Sequence, residues 1–327
     1  MTATKRWWWI AAASILAMPI AASAQAQDFP TKPIRIVVPY PAGGPTDALA
    51  RIVGQDIAGT LGQPVVVENR PGASGAIGTR EVAKAEADGH TLVLGNNQTH
   101  ATNAILMKDL GYDPQSDFAP VAGLADLQHA LVVRKDLGVG TVQDLIALAK
   151  QQPGKLNYGS TGPGSGSHLA MELLKTRTGT DMLHVPFKGA APMALEIVAG
   201  RIDVAFSTLP SVLGQIQGGE MKALAIASDL RAPQVPEVPL LKEQGVIDSE
   251  ADSWLALFAP AKTPTAALDK LTKAVLAALA KPVVAEAAIK QGIAVNVRGP
   301  DAFKVYLATE LKKWGDVVRI ANVKAGG

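Results

Sequence analysis

Two glycine-bearing segments hold the residues whose types and spacing could do chemistry. In VVPYPAGGPTDALAR, the apolar run Ile34 to Val38 leads through Pro39, Tyr40, Pro41, Ala42, Gly43 and Gly44 into a helical pattern that Thr46 or Asp47 could cap. In NYGSTGPGSGSHLAMELL, Asn157 to Gly159 leads past Gly162, Gly164 and Gly166 into a helix starting near Ser167. Glycine admits positive φ and lets a ligand approach the backbone, and the unpaired N–H groups of a helix N-terminus favour negative charge. Each segment reads as an anion cradle, and two on one chain point to a shared acidic ligand. Hydrogen bonds to a charged group contribute about 1.5–3 kcal/mol each. Three or four of them, less the entropy of association, reach the roughly 8 kcal/mol of a micromolar complex.

Catalytic readings of the same segments fail on spacing. A dinucleotide fingerprint G-x-G-x-x-G needs a third glycine where Ser167 or Leu169 stands, and a phosphate loop needs Lys where Ser165 follows Gly164. A nucleophile elbow G-x-S-x-G is missing, because Ser74, Ser160, Ser165 and Ser207 each lack a flanking glycine. His168 and Glu172 share a helix face, but no second histidine stands at zinc-ligand spacing. Asp47 in a first helical turn and Asp203 beside a strand have structural roles open to them as well as acid–base ones, and capping or packing competes with ligand contact for His100 and His168. An exported enzyme acting on a small acid, carried by Asp47 and His168, is the rival reading. An adhesion or interaction protein would need an apolar patch or a repeat, and neither is present.

Positioning such loops requires strands that end beside them. Short apolar runs alternate with helical patterns: Ile34–Val38, a helix from Thr46 to Leu61, Val65–Glu68, a helix from Ile77 to Ala85, then Thr91–Leu94. Nearly every residue of each run is apolar, as in a parallel sheet covered on both faces. The order repeats with Ala130–Val133, a helix from Val142, a strand near Leu156–Gly159, a helix from Ser167, Met182–Pro186, a helix from Ala191, and Ile202–Ser207. A helix from Pro210 to Gln217, runs at Ala223–Ala227 and Trp254–Phe258, and three C-terminal helices complete the chain. Those last helices have no sheet of their own and are expected to return to the first unit. The division that follows is residues 27–122 with 226–327 as one domain and 123–225 as the other, with crossings near Val121–Leu124 and Ala223–Ala227 forming a hinge.

The N-terminus bears on the compartment. Lys5 and Arg6 precede an apolar stretch from Trp7 to about Ile20, followed by Ala22-Ser23-Ala24 and Ala24-Gln25-Ala26. Residues 1–26 are therefore expected to be a cleaved secretory signal peptide, placing the protein in the periplasm. Removing them takes away two basic residues and no acidic one, leaving 29 of each sign. Such a chain lacks the basic field that nucleic acid or anionic lipid would require. With zero cysteines, stability must come from buried apolar area alone.

The segments YPAGGPTDALAR, VVVENRPGASGAIGTREVAKAEADGHTL, YGSTGPGSGSHLAMELLK, HVPFKGAAPMALEIVAGRIDVAF, MKALAIAS and PEVPLLKEQG, in this order, resemble the receptors of tripartite tricarboxylate transporters, the Bug proteins. The resemblance implies an α/β, two-domain type II periplasmic binding fold, with doubly wound sheets joined by two crossing strands. It also implies a small carboxylate gripped by the two loops and handed to a membrane permease, with no cofactor, no metal and no nucleic acid, and a monomer. By motif, the first loop would contribute Tyr40, Pro41, Ala42, Gly43, Gly44 and Asp47, and the second Ser160, Thr161, Gly164, Ser165, Gly166 and His168. Further lining would come from Asn97, Gln98 and Thr99, from Lys188, Gly189 and Ala190, and from Ser207 and Thr208. Where the family often has Asp after the residue matching Phe206, this chain has Ser207. That departure favours a dicarboxylate or aromatic carboxylate over an amino acid.

Overall fold

The computed structural model describes residues 29–247, 250–320 and 323. The expected signal peptide lies outside these residues. The first sheet contains β1 (Ile34–Val38), β2 (Val65–Asn69), β3 (Thr91–Asn96), β4 (Phe118–Leu127), β10 (Ser253–Pro260) and β11 (Ala294–Arg298), in the order β11-β4-β10-β3-β1-β2. The second contains β5 (His129–Arg134), β6 (Asn157–Ser160), β7 (Leu183–Pro186), β8 (Val204–Thr208) and β9 (Met221–Ile226), in the order β7-β6-β8-β5-β9. The helices are α1 (Pro45–Leu61), α2 (Ala76–Ala83), α3 (Asn103–Leu106), α4 (Val142–Gln151), α5 (Gly166–Thr178), α6 (Ala190–Val198), α7 (Leu209–Gln217), α8 (Thr265–Leu279), α9 (Pro282–Lys290) and α10 (Pro300–Ile320).

The unbroken apolar strands follow from cover on both faces. Along β1, Ile34, Ile36 and Val38 enter one core and Val37 the opposite one. Along β10, Leu255, Leu257 and Ala259 enter the first core while Trp254, Ala256 and Phe258 enter the second. In the other sheet, Leu131 and Val133 of β5 divide in the same way from Ala130 and Val132. Each fully buried Val, Leu or Ile contributes about 1.5–3 kcal/mol. Neither sheet is purely parallel, however: β10 runs antiparallel to β3 and β4, and β5 runs antiparallel to β8 and β9. The returning strand thus sits inside the first sheet. Edge strand β11, antiparallel to β4, is a strand that the periodicity does not reveal.

The chain passes between sheets at two places. Val121–Leu124 lies within β4 of the first sheet, and the outward crossing is at Gln128, between β4 and β5. Ala223–Ile226 lies within β9 of the second sheet, and the return runs from Ala227 to β10. Ala232, Val235, Val238 and Leu240 pack with the second sheet, so the expected boundary at 226 lies 27 residues before the point where the chain rejoins the first sheet at Ser253. The two crossings are tied together by Gln128 Nε2, which donates to the Leu230 carbonyl at 2.6 Å.

Helix α10 spans both sheets: Phe303 and Leu307 pack against the first, while Trp314, Val317 and Val318 pack against the second. At the changeover Glu310, 3% exposed, accepts from both Trp254 Nε1 (3.1 Å) and Trp314 Nε1 (2.8 Å). A buried indole N–H left without an acceptor costs about 1–3 kcal/mol. Glu310→Ala, which orphans two of them, is expected to lower the unfolding free energy by about 3 kcal/mol or more, and Glu310→Gln by clearly less, read from urea midpoints.

Candidate functional site

Between the sheets lies a cleft of about 1000 Å³, lined by the loops that follow β1, β2 and β3 on one side and β6, β7 and β8 on the other. Strand carboxyl ends are where open α/β sheets place ligands. Of the residues expected there, Tyr40, Pro41, Ala42, Gly43, Gly44, Asn97, Gln98, Thr161, Ser165, Gly166, Lys188, Gly189, Ala190 and Thr208 line the cleft together.

The two principal loops are built alike. Gly43, at φ +84°, donates its N–H to Asp47 Oδ2 at 3.0 Å. Gly164, at φ +72°, donates its N–H to His168 Nδ1 at 3.0 Å. In each case the acceptor lies four residues on, in the first turn of the following helix, and ties the loop back onto it. These two glycine amides are therefore committed inside the protein, contrary to a reading in which they meet the ligand. Donors without a partner among the described residues include the N–H groups of Gly44, Thr46 and Asp47 at α1, where Pro45 has none to offer, and of Gly166 and Ser167 at α5. Gly44, Thr46, Gly166 and Ser167 all line the cleft. Two helix N-termini, one from each sheet, thus open onto one space.

Six expected residues do not line that space, each for a physical reason. Asp47 turns back to hold the first loop, accepting also from Arg51 Nε (3.1 Å) and Asn69 Nδ2 (3.1 Å). Burial alone would raise its pKa, but the hydrogen bonds from Arg51, Gly43 and Asn69 outweigh burial and hold it below the usual carboxylate value. Thr99 folds its hydroxyl into the single π-helical turn after β3, against the Asn96 backbone N–H (3.0 Å) and His100 Nδ1 (2.9 Å). Ser160 is buried, with its hydroxyl on His184 Nε2 at 2.7 Å. Gly164 packs beneath Leu106 of the first-sheet side, and Thr102 Oγ1 donates to its carbonyl at 3.1 Å. His168 is occupied by Gly164 and stacks on His184 with ring centroids 4.0 Å apart. Ser207 shares with Ala205 the face of β8 that α6 and α7 cover, so its hydroxyl is buried away from the cleft.

His100, also considered as a ligand donor, is buried against Phe258 in the core. Asp203 holds Arg134 Nε (2.8 Å) and the Asn157 N–H (2.9 Å), which is structural work.

The lining also includes residues that the sequence reading did not single out: the loop Pro71 to Gly75 after β2, together with Asn96, His129, Phe187, Ser211 and Ser253. RPGASG is a third glycine-bearing strand-end loop and could have been found by the rule that found the other two. Ala73 and Ser74 both sit at positive φ, +47° and +54°, a conformation that costs a non-glycine residue about 1–2 kcal/mol. Asn103 Nδ2 holds the Ser74 carbonyl at 3.0 Å. Lys188, exposed at the rim, is the one formally charged side chain among the described lining residues.

The family pattern described as tripartite tricarboxylate transporter family receptor matches residues 49–323. The chain belongs to that receptor family. It is 36% identical to Protein BugT of Bordetella pertussis over 306 residues, which is 93% of this chain and 94% of that one. The fold is shared with an R. palustris protein solved with adipate (36% identity, TM-score 0.86, covering 91% of this chain and all of that one). It is also shared with MatC from Rhodopseudomonas palustris with bound malate (34% identity, TM-score 0.82, covering 89% and 100%). The α/β type II binding-protein fold inferred from the motifs is the observed one, and the family is one of solute-binding receptors, so the enzyme reading is set aside.

A side chain at Gly43 meets nothing within 4 Å, whereas one at Gly164 strikes Leu106 Cδ1. Gly43→Ala should therefore cost only the left-handed strain of about 1–2 kcal/mol, and Gly164→Ala clearly more, in denaturant midpoints. Burial also depresses the imidazoles of His129 and His168 to about 4, His184 adding to the effect at His168. The unfolded chain then binds more protons than the folded one between about pH 6.5 and pH 4. The stability these two imidazoles contribute should be fully present above pH 6.5 and be lost as the pH drops through that window, outweighing the opposite contribution of Asp252, whose carboxyl burial raises to about 7; unchanged urea midpoints from pH 7 to pH 4.5 would contradict it.

Proposed function

We propose that the protein is a periplasmic receptor that binds a small di- or aromatic carboxylate in the cleft and delivers it to a permease of the tripartite tricarboxylate type. The observation that carries this reading is the convergence of unpartnered N–H groups, Gly44 and Thr46 from α1 and Gly166 and Ser167 from α5, on one cleft from opposite sheets. Oriented amides at helix N-termini hold an anion without an arginine. About 1000 Å³ accommodates a small organic acid together with water. The relatives solved with adipate and with malate support a carboxylate. The preference against amino acids rests on the lining, where no acidic side chain stands among the described residues to pair with a ligand amine. Ser207, buried on the far face of β8, has no part in it.

The mechanism is conformational. A lobe built on the first sheet holds the carboxylate at α1, and the lobe built on the second rotates about the crossings at Gln128 and before Ser253 until α5 completes the cage. The Gly164–Thr102 and Gly164–Leu106 contacts, which join the second loop to the first-sheet side, close the back of that cage. Export follows from the N-terminal segment, with mature protein beginning at Gln25 or Gln27 in N-terminal sequencing of a periplasmic fraction.

Titration calorimetry against dicarboxylates, aromatic acids, aspartate and glutamate tests the ligand class. At least one simple diacid or aromatic acid is expected to bind with a Kd in the order of micromolar and more tightly than either amino acid. Asp47→Ala should weaken it by about tenfold or more by freeing the first loop. Tightest binding by aspartate or glutamate would refute the class.

A further inference from the structure

The cleft floor carries polar groups that the carboxylate cradle does not use. Asn97 follows β3 and Ser253 opens β10, and the antiparallel pairing of Leu255 with Asn96 brings them side by side. Ser253 Oγ donates to Asn97 Oδ1 at 2.5 Å. That bond fixes the carboxamide, whose Nδ2 is left without a partner although Asn97 is only 1% exposed and lines the cleft. An unsatisfied buried donor costs about 1–3 kcal/mol and calls for an acceptor. Beside it lies His129, 3% exposed and lining the same floor.

Gly166 borders this donor. A β-carbon there would sit 3.5 Å from Asn97 Nδ2 and 3.5 Å from His129 Nε2, so both groups lie against the side-chain-free face of Gly166. The N–H of Gly166 is also one of the free amides of the cradle. The Asn97 amide is therefore adjacent to the carboxylate position. The two side chains beside it carry no charge: Ser253 is neutral, and burial keeps the His129 imidazole neutral near pH 7. A second carboxylate on this floor would be desolvated with few donors, a costly arrangement, whereas an uncharged oxygen needs one.

We infer that Asn97 is a specificity-determining residue that donates to a hydroxyl or keto oxygen on the carbon next to the ligand carboxylate, with Ser253 as its positioning residue. The favoured ligands are 2-oxygenated acids. This inference rests on the carboxylate reading above and narrows it.

Calorimetry on matched pairs tests it: succinate against malate, glutarate against 2-hydroxyglutarate and 2-oxoglutarate, and phenylacetate against mandelate. In the pair whose skeleton fits, the oxygenated acid should bind about tenfold more tightly. In Asn97→Ala that ratio should fall to about threefold or less, the oxygenated acid losing clearly more affinity than the plain one, and Ser253→Ala should give an intermediate ratio. A structural role for Asn97 would weaken both members together and leave the ratio intact. Equal affinities in the unaltered protein overturn the inference without touching the carboxylate reading, and need no variant to fold. Equal loss of both acids in Asn97→Ala also overturns it, making Asn97 a further donor to the carboxylate. Binding of none of these acids would sink the carboxylate reading and this inference with it.

Discussion

The arrangement depends on a backbone amide being taken out of use. In each principal loop a glycine in the left-handed region gives its N–H to the side chain four residues later, Gly43 to Asp47 and Gly164 to His168. Each bond closes a tight loop over the first turn of a helix. The next free amides, at Gly44 and Thr46 and at Gly166 and Ser167, then belong to residues that line the cleft, and in the proposed function they are in place before any ligand arrives. A site that must order its loops on binding loses part of its interaction energy to that ordering. Here the folding of two helices has already met that cost.

The side chains that do this pinning are ionisable, but their environments give them fixed states. Asp47 is kept charged by Arg51, Asn69 and the Gly43 amide, and His168 is kept neutral by burial and by the stacked His184. An acceptor is needed in both places, and a carboxylate and a neutral imidazole each supply one. The difference suits the surroundings. Asp47 has a partly exposed arginine to pair with, whereas His168 lies in a stack running through His184 to Tyr158, where a second charge would be poorly solvated. Residues that looked like acid–base or ligand groups are thus supports standing behind the loops they precede in space.

Much of the fold was legible because its strands are short, apolar and separated by strongly periodic helices. The run Ile34 to Val38 and the helix from Val142 are found where periodicity puts them. The direction and order of the strands were harder to read. An apolar run covered on both faces looks the same whether its neighbour is parallel or antiparallel, so the mixed sheets built around β10 and β5 left no trace in the pattern. The partly buried β11 lacks the long apolar run that marks the others. The site was legible at the level of loops and less so at the level of atoms. Glycine patterns locate Gly43 and Gly164, but which amides stay free depends on where the side chains of Asp47 and His168 turn. Asn97 and Ser253 meet only through the pairing of β3 with β10, across 156 positions of sequence.

The most direct test of this account is an amide-resolved NMR titration of the folded protein with a bound carboxylate. The N–H resonances of Gly44, Thr46, Gly166 and Ser167 should move strongly downfield as they take up a charged acceptor, while those of Gly43 and Gly164 stay near their ligand-free positions. If Gly43 and Gly164 moved most, or if the changes gathered around Lys188 with the helix N-termini silent, the pinned-loop cradle would be wrong.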